Sequence, residues 1–177
     1  MFLSIDYLKE GNPRQQLAYK AMHALGLLID LEEYTPVLCG TLPINIDIDN
    51  SDLDIIMEVK NFDAFEKSIV ALYGCHEGFR IKKTHIRGNP VMKANFLYGG
   101  FEFELFGQDV LVTEQYAYLH MIIENTLLRK NPPIREEIIA LKKQGYKTEP
   151  AFCKVLGLEG DPYEGLIMYG KERGIIT

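Results

Sequence analysis

The chain has 177 residues, 47% of them hydrophobic and 25% charged, with a net charge of −6, which predicts one globular domain, or one with an appendage, and a substantial core. An acidic balance argues against broad non-specific nucleic-acid binding through surface charge, and no run of about 18 apolar residues offers a membrane span. Three cysteines, Cys39, Cys75 and Cys153, are odd in number and far apart, which argues against both a disulfide framework and a thiolate zinc site.

All three are expected as buried free thiols. The opening "MFLSIDYLKE" lacks the basic start and long apolar stretch of a secretory signal, so a cytoplasmic protein is expected. "NPRQQLAYKAMHALGLLI" turns at Asn12 and Pro13 and repeats apolar residues at Leu17, Met22, Leu25 and Leu28, predicting a helix from about Arg14 to about Ile29. "YTPVLCG" reads as a short buried strand entering a tight turn at Gly40. "NIDIDNSDLDIIMEV" alternates Ile and Asp before turning continuously apolar, so its second half is expected as an interior strand with an exposed acidic end.

"NFDAFEKSIVALYG" returns to helical spacing, with Phe62, Phe65, Ile69 and Leu72 on one side and Gly74 as the stop. "FRIKKTHIR", "VMKANFLY" and "FEFELFG" read as strands, the last two joined by a hairpin turn at Gly99 and Gly100. The first of these carries Arg80, Lys82, Lys83 and Arg87; it fits a solvated edge strand guarded by lysines, and a local basic groove is the alternative. Beyond Asp109 the pattern is helical: "TEQYAYLHMIIENTLLRK", "PIREEIIALKKQG", "KTEPAFCKVLGL" with Thr148 as N-cap, and "DPYEGLIMYGKERG" with Asp161 as N-cap. The expected class is α+β: a mixed, mostly antiparallel sheet in residues 1–110 and a helical region in 111–177 packed on it as one unit.

Chemistry concentrates in three places. Side chains at i and i+2 of a strand share a face, so Asp52 and Asp54 stand together while Leu53, Ile55 and Met57 point the other way. "FEFELF" sets Glu102 and Glu104 on one face of a later strand. "CGT" supplies a Gly-Thr turn, Gly40 and Thr41, whose backbone can approach a phosphate closely and donate to it. Two aspartates and a third carboxylate make a hard oxygen site suited to Mg²⁺ or Mn²⁺, and two such ions about 3.5–4 Å apart stabilise the attacking and leaving oxygens of a phosphoryl displacement.

The succession Gly40-Thr41, Ser51-Asp52-Leu53-Asp54-Ile55 and a later Glu resembles the pattern of the DNA polymerase beta-like nucleotidyltransferase superfamily, over about Leu38 to Gly107. "YTPVLCGTLPINIDIDNSDLDI", "FELFGQ", "LKKQGYKTEPAF" and "GDPY" are similar to a bacterial family known as a domain of unknown function and placed in that superfamily. The resemblance implies a nucleotidyltransferase-like fold and a Mg²⁺- or Mn²⁺-dependent transfer of an NMP group from an NTP to an acceptor it does not identify. A catalytically inactive module that binds nucleotide, metal or a partner protein is the alternative. Residue by residue it implies phosphate contacts at Gly40, Thr41 and Ser51, metal ligands at Asp52 and Asp54, and a third carboxylate at Glu104, with Glu102 as its rival. Asp47 and Asp49 form a second Asp-x-Asp pair, read as the rim of the intervening turn because no apolar strand follows directly. The sequence departs from the superfamily pattern by having no basic residue soon after the turn, so cations such as Lys82, Lys83, Arg87 or Lys93 would have to meet a triphosphate.

Other residues have plainer readings. His120 and Glu124, four apart on a helix, suit either a helix-surface pair or an acid–base pair. Tyr116, Leu119, Ile123 and Leu127 form a core stripe. Arg135, Lys142 and Lys143 fit a charged helix face or the lining of a groove.

Overall fold

Alternation with period two places Leu53, Ile55 and Met57 of one strand, and Phe101, Phe103 and Leu105 of another, on a buried sheet face. The computed structural model describes residues 2–177 and builds these strands into a five-stranded sheet: β1 (Val37–Cys39), β2 (Leu53–Glu58), β3 (Arg80–Ile86), β4 (Asn89–Tyr98) and β5 (Phe101–Gln108), in the order β1-β2-β5-β4-β3. Only β2 and β5 run parallel; the other neighbours are antiparallel. The fold is α+β, with a helical C-terminal region. The chain divides into two units: the first holds the chain up to Cys39 together with Ser51–Glu114, the second Gly40–Asn50 together with Gln115–Thr177.

In the first unit α1 (Pro13–Leu25) opens with a capping box in which Asn12 and Gln15 satisfy each other's backbone N–H groups. The helix ends at Leu25, not near Ile29 as its periodicity predicts, because Gly26 takes a left-handed conformation at φ +72°; a single turn, α2 (Leu27–Asp30), follows. The buried residues of α1 are Gln15, Ala18, Ala21 and Met22, while Leu17 is exposed. The crossover helix α3 (Phe62–Tyr73) buries Phe65, Ile69 and Tyr73 and leaves Leu72 exposed, so Tyr73 takes the place expected of Leu72. Tyr73, Phe96 and Phe103 stack in series at 4.9 and 5.2 Å between ring centroids, an arrangement that adds about 0.5–1.5 kcal/mol per pair beyond area burial. Gly107 of β5 admits no side chain: a Cβ there would lie 2.8 Å from Val59 and 2.9 Å from Phe65.

The β4–β5 turn has positive φ at both Gly99 and Gly100, as a two-residue hairpin requires. β3 is an edge strand with alternating exposed residues. Cys39 and Cys153 are buried, but Cys75, just past the end of α3, is exposed, which corrects the expectation for that thiol.

The second unit contains α4 (Tyr116–Lys130), α5 (Ile134–Lys143), α6 (Thr148–Leu156) and α7 (Pro162–Glu172). Asp161 caps α7 by accepting from the Tyr163 and Glu164 amides. Thr148 is not the N-cap of α6: Lys147 holds that position without a side-chain cap, and Thr148 is already helical. On α4 the buried residues are His120, Met121, Ile123, Glu124 and Leu128. Of the predicted stripe only Ile123 is fully buried.

Candidate active site

Strand register assembles the acidic face. Asp54 pairs with Glu104 across the parallel β2–β5 ladder, Glu104 with Asn95 on β4, Asn95 with Arg80 on β3, and Asp54 with Cys39 on β1. Residues opposite one another in register share a sheet face, so Cys39, Asp54, Glu104, Asn95 and Arg80 form one row across all five strands. Asp52, one residue ahead of β2, stands level with Glu102 by the same register. Burial raises the Asp52 carboxyl above its ordinary range, and the charges of Glu104 and Glu102 push it the same way against Lys93. Burial also raises the Cys39 thiol, helped by Asp54, which leaves that thiol protonated and inert.

Both glutamates carry cations. Lys93 Nζ lies 2.8 Å from Glu104 Oε1, with the two side chains 24% and 21% exposed. Arg80 forms an ion pair with Glu102, whose Oε1 also accepts from Asn95 Nδ2 at 3.1 Å. The backbone before the aspartates is held as well: Arg14 Nη2 donates to the Ser51 carbonyl at 3.0 Å while its guanidinium lies 5.1 Å from the Phe101 ring centroid. Lys83 is engaged elsewhere, by Asp63 at 2.8 Å and Glu66 at 3.1 Å on α3. Lys82, His85 and Arg87 are exposed, on β3 or in the turn that follows it.

Among the described residues no three His, Cys, Asp or Glu side chains are grouped to hold a metal ion. Asp52 and Asp54 remain a suitable donor pair, because Mg²⁺ is commonly held by one or two carboxylates with substrate phosphates and water completing the shell. A two-ion arrangement fits less well, since the carboxylate that would join the aspartates already pairs with Lys93.

Ser51, Asp52, Asp54 and Glu104 thus lie together in the first unit, whereas Gly40 and Thr41 belong to the second. Gly40 has φ +77°, a conformation that suits glycine. The segment after it folds on itself, with the Ile46 amide donating to the Thr41 carbonyl and the Asn45 amide to Leu42, each at 3.2 Å. Within the second unit α5 clamps this segment. Arg135 Nη1 donates to the Ile44 and Asn45 carbonyls at 2.6 and 2.7 Å, and the buried Lys142 ammonium donates to Ile46 at 2.9 Å. Arg135 and Lys142 therefore hold backbone carbonyls, and only Lys143 is a plain exposed residue.

His120 and Glu124 do not form the helix-surface pair that their spacing allows; each is only 3% exposed. His120 Nε2 lies 2.9 Å from the Tyr163 carbonyl and Nδ1 3.4 Å from Glu149. Burial raises the Glu124 carboxyl well above its ordinary range, reinforced by Glu149 and opposed by Lys142. Spacing on one helix could not reveal this cluster, whose other members come from α5, α6 and α7.

Residues 20–169 match the family described as "Domain of unknown function (DUF4269)". The chain belongs to this family. No curated protein matches the sequence. Among solved structures, the Cid1 poly(U) polymerase is similar with a TM-score of 0.52 at 14% identity, over 78% of this chain and 44% of that one. A cytoplasmic RNA terminal U-transferase is similar with a TM-score of 0.51 at 16% identity, over 78% of this chain and 45% of that one. The Cid1 poly(U) polymerase with MgGTP bound scores 0.50 at 16% identity, over 78% and 46%. The DUF4269 chain therefore spans less than half the length of these polymerases. The likeness extends to the fold.

Proposed function

We propose that this DUF4269 protein is a divalent-metal-dependent nucleotidyltransferase that moves an NMP group from an NTP to an acceptor hydroxyl, phosphate or protein side chain. The observation that carries this reading is the register of Asp54 opposite Glu104, with Asp52 one step away, on a nucleotidyltransferase-like sheet. Asp52 and Asp54 would hold Mg²⁺ or Mn²⁺, which supplies charge neutralisation and alignment for the phosphate oxygens. Glu104 takes the third carboxylate position, and Arg14 fixes the approach to the pair through Ser51. Phosphate contacts are assigned to Gly40, Thr41 and Ser51 on the sequence pattern. A net charge of −6 does not favour a nucleic-acid acceptor, although the similar solved proteins include a poly(U) polymerase and an RNA terminal U-transferase. NTP supply makes the cytoplasm the setting for such a reaction.

A second reading, a nucleotide-binding module without chemistry, is favoured by one observation: the Lys93–Glu104 ion pair engages the carboxylate available as an acceptor base. Pyrophosphate release separates the two. Each NTP is incubated with the protein, Mg²⁺ or Mn²⁺ and candidate acceptors, beside Asp54→Asn. Turnover lost in Asp54→Asn supports the enzyme, metal-dependent NTP binding without pyrophosphate supports the module, and turnover undiminished in Asp54→Asn refutes the assignment of the pair.

A further inference from the structure

The loop that follows Gly40 and Thr41 has no basic residue of its own, "LPINI" at 42–46, yet two cations of α5 act on its backbone. Leu42, Ile44 and Ile46 are buried, which anchors the loop through its apolar side chains. Three successive carbonyls meet α5: Arg135 Nη1 donates to Ile44 and Asn45 at 2.6 and 2.7 Å, and Lys142 Nζ to Ile46 at 2.9 Å. Asn45 is left-handed at φ +59°, a conformation asparagine tolerates better than most residues. The two peptides that flank its Cα both reach one nitrogen of Arg135, whose two N–H groups suffice for both carbonyls.

Each of these peptides is engaged at both ends, because a trans peptide points its C=O and N–H in opposite directions. The peptide joining Ile44 to Asn45 accepts from Arg135 and donates its N–H to the Leu42 carbonyl; the next one accepts from Arg135 and donates to the Thr41 carbonyl, each donation at 3.2 Å. A charged donor on the carbonyl polarises the peptide and strengthens the bond its N–H makes. Arg135 is therefore one peptide away from the backbone of Thr41.

We infer that Arg135 is a positioning residue for the Gly40–Thr41 turn: by gripping both peptides around Asn45 it closes the loop onto Thr41 and Leu42, and so governs phosphate binding without touching the phosphate. The inference rests on the nucleotide-site reading and deepens it, since it names what holds the phosphate turn in shape. All of these residues lie in the second unit.

The test uses the full chain with two readouts: amide hydrogen exchange without ligand, and calorimetric binding of ATP, GTP, CTP and UTP, each with Mg²⁺. Arg135→Ala is expected to speed exchange at the Asn45 and Ile46 amides, and to weaken the NTP that wild type binds, each by about tenfold, as loss of hydrogen bonds from a charged donor implies. Because Arg135 is half-exposed, guanidinium chloride at millimolar, non-denaturing concentration is expected to restore both readouts in Arg135→Ala, where sodium chloride does not. Lys143→Ala removes the same charge from an exposed position of the same helix and should change neither. Weaker NTP binding with unchanged exchange would make Arg135 a direct phosphate contact and overturn the inference. Faster exchange with unchanged NTP binding, no restoration by guanidinium, or an equal loss in Lys143→Ala would overturn it as well, and each leaves the nucleotide-site reading in place. A wild type that binds none of the four NTPs overturns that reading and the inference with it. Should Arg135→Ala fail to fold, Arg135→Gln, which keeps an amide donor but no charge, decides by exchange and NTP binding.

Discussion

Asp52→Asn should raise the stability of the ligand-free protein and abolish its stabilisation by nucleotide and metal. Burial and the neighbouring Glu104 and Glu102 lift the Asp52 carboxyl, with Lys93 opposing, so its ionised form is a liability of the empty fold. Like charges opposed across strands cost about 0.2–1 kcal/mol per pair; with Lys93 offsetting part of two such pairs, the gain is about 0.5–1 kcal/mol. At about 2–4 °C per kcal/mol for a chain of this size, the melting temperature should rise by about 1–4 °C at pH 7. Because the folded-state pKa is raised, the cost is present above that pKa and vanishes below the ordinary value of 3.8. The advantage of Asp52→Asn should therefore shrink as pH falls toward 3.8. With NTP and Mg²⁺ at a hundredfold excess over Kd, wild type should gain about 2.7 kcal/mol, or about 5–11 °C, and Asp52→Asn nothing. Thermal unfolding with and without ligands reads both effects. A ligand-free variant that melts below wild type would make Asp52 a structural acceptor, and a ligand shift retained in the variant would remove it from the site.

Three further outcomes test the surrounding structure. Gly107→Ala forces a Cβ within 2.9 Å of Val59 and Phe65, an overpacking cost of about 1–3 kcal/mol; urea unfolding should show a lower midpoint at unchanged slope, and an unchanged midpoint would mean that α3 yields freely. Lys142→Met removes the donor to the Ile46 carbonyl and strands a buried acceptor, at about 1–3 kcal/mol. Hydrogen exchange at the Asn45 and Ile46 amides should accelerate, whereas unchanged exchange would show that α5 does not hold the segment. Asp161→Ala deletes the α7 cap and should cost about 1 kcal/mol, with fraying confined to the first turn of that helix by the same exchange measurement.

Local chemistry made most elements legible. The alternation in "FEFELFG", the glycine pair at 99 and 100 and the Asp161-Pro162 start each carry their own instruction, because strand faces, hairpin turns and helix caps depend on neighbours within a few residues. Misreadings arose where two local signals compete. Gly26 ends α1 inside an apolar repeat that continues past it, and Thr148 resembles a cap although the helix begins at it. At the candidate site the carboxylates were legible from the Asp-x-Asp and Glu-x-Glu spacings, but their partners were not. That Arg80 meets Glu102 and Lys93 meets Glu104 depends on the β3–β4–β5 register.

The sequence by itself determined the α+β class, the strand that opens with paired aspartates and the face shared by the β5 glutamates, since each follows from periodicity along one segment. Only the tertiary structure decided that Asp54 lies opposite Glu104, that Lys93 neutralises that glutamate and that Lys142 reaches back to Ile46. Those contacts join residues 11 to 96 positions apart, and which of the many distant residues meet is fixed by strand register and helix packing, to which no single segment holds the key.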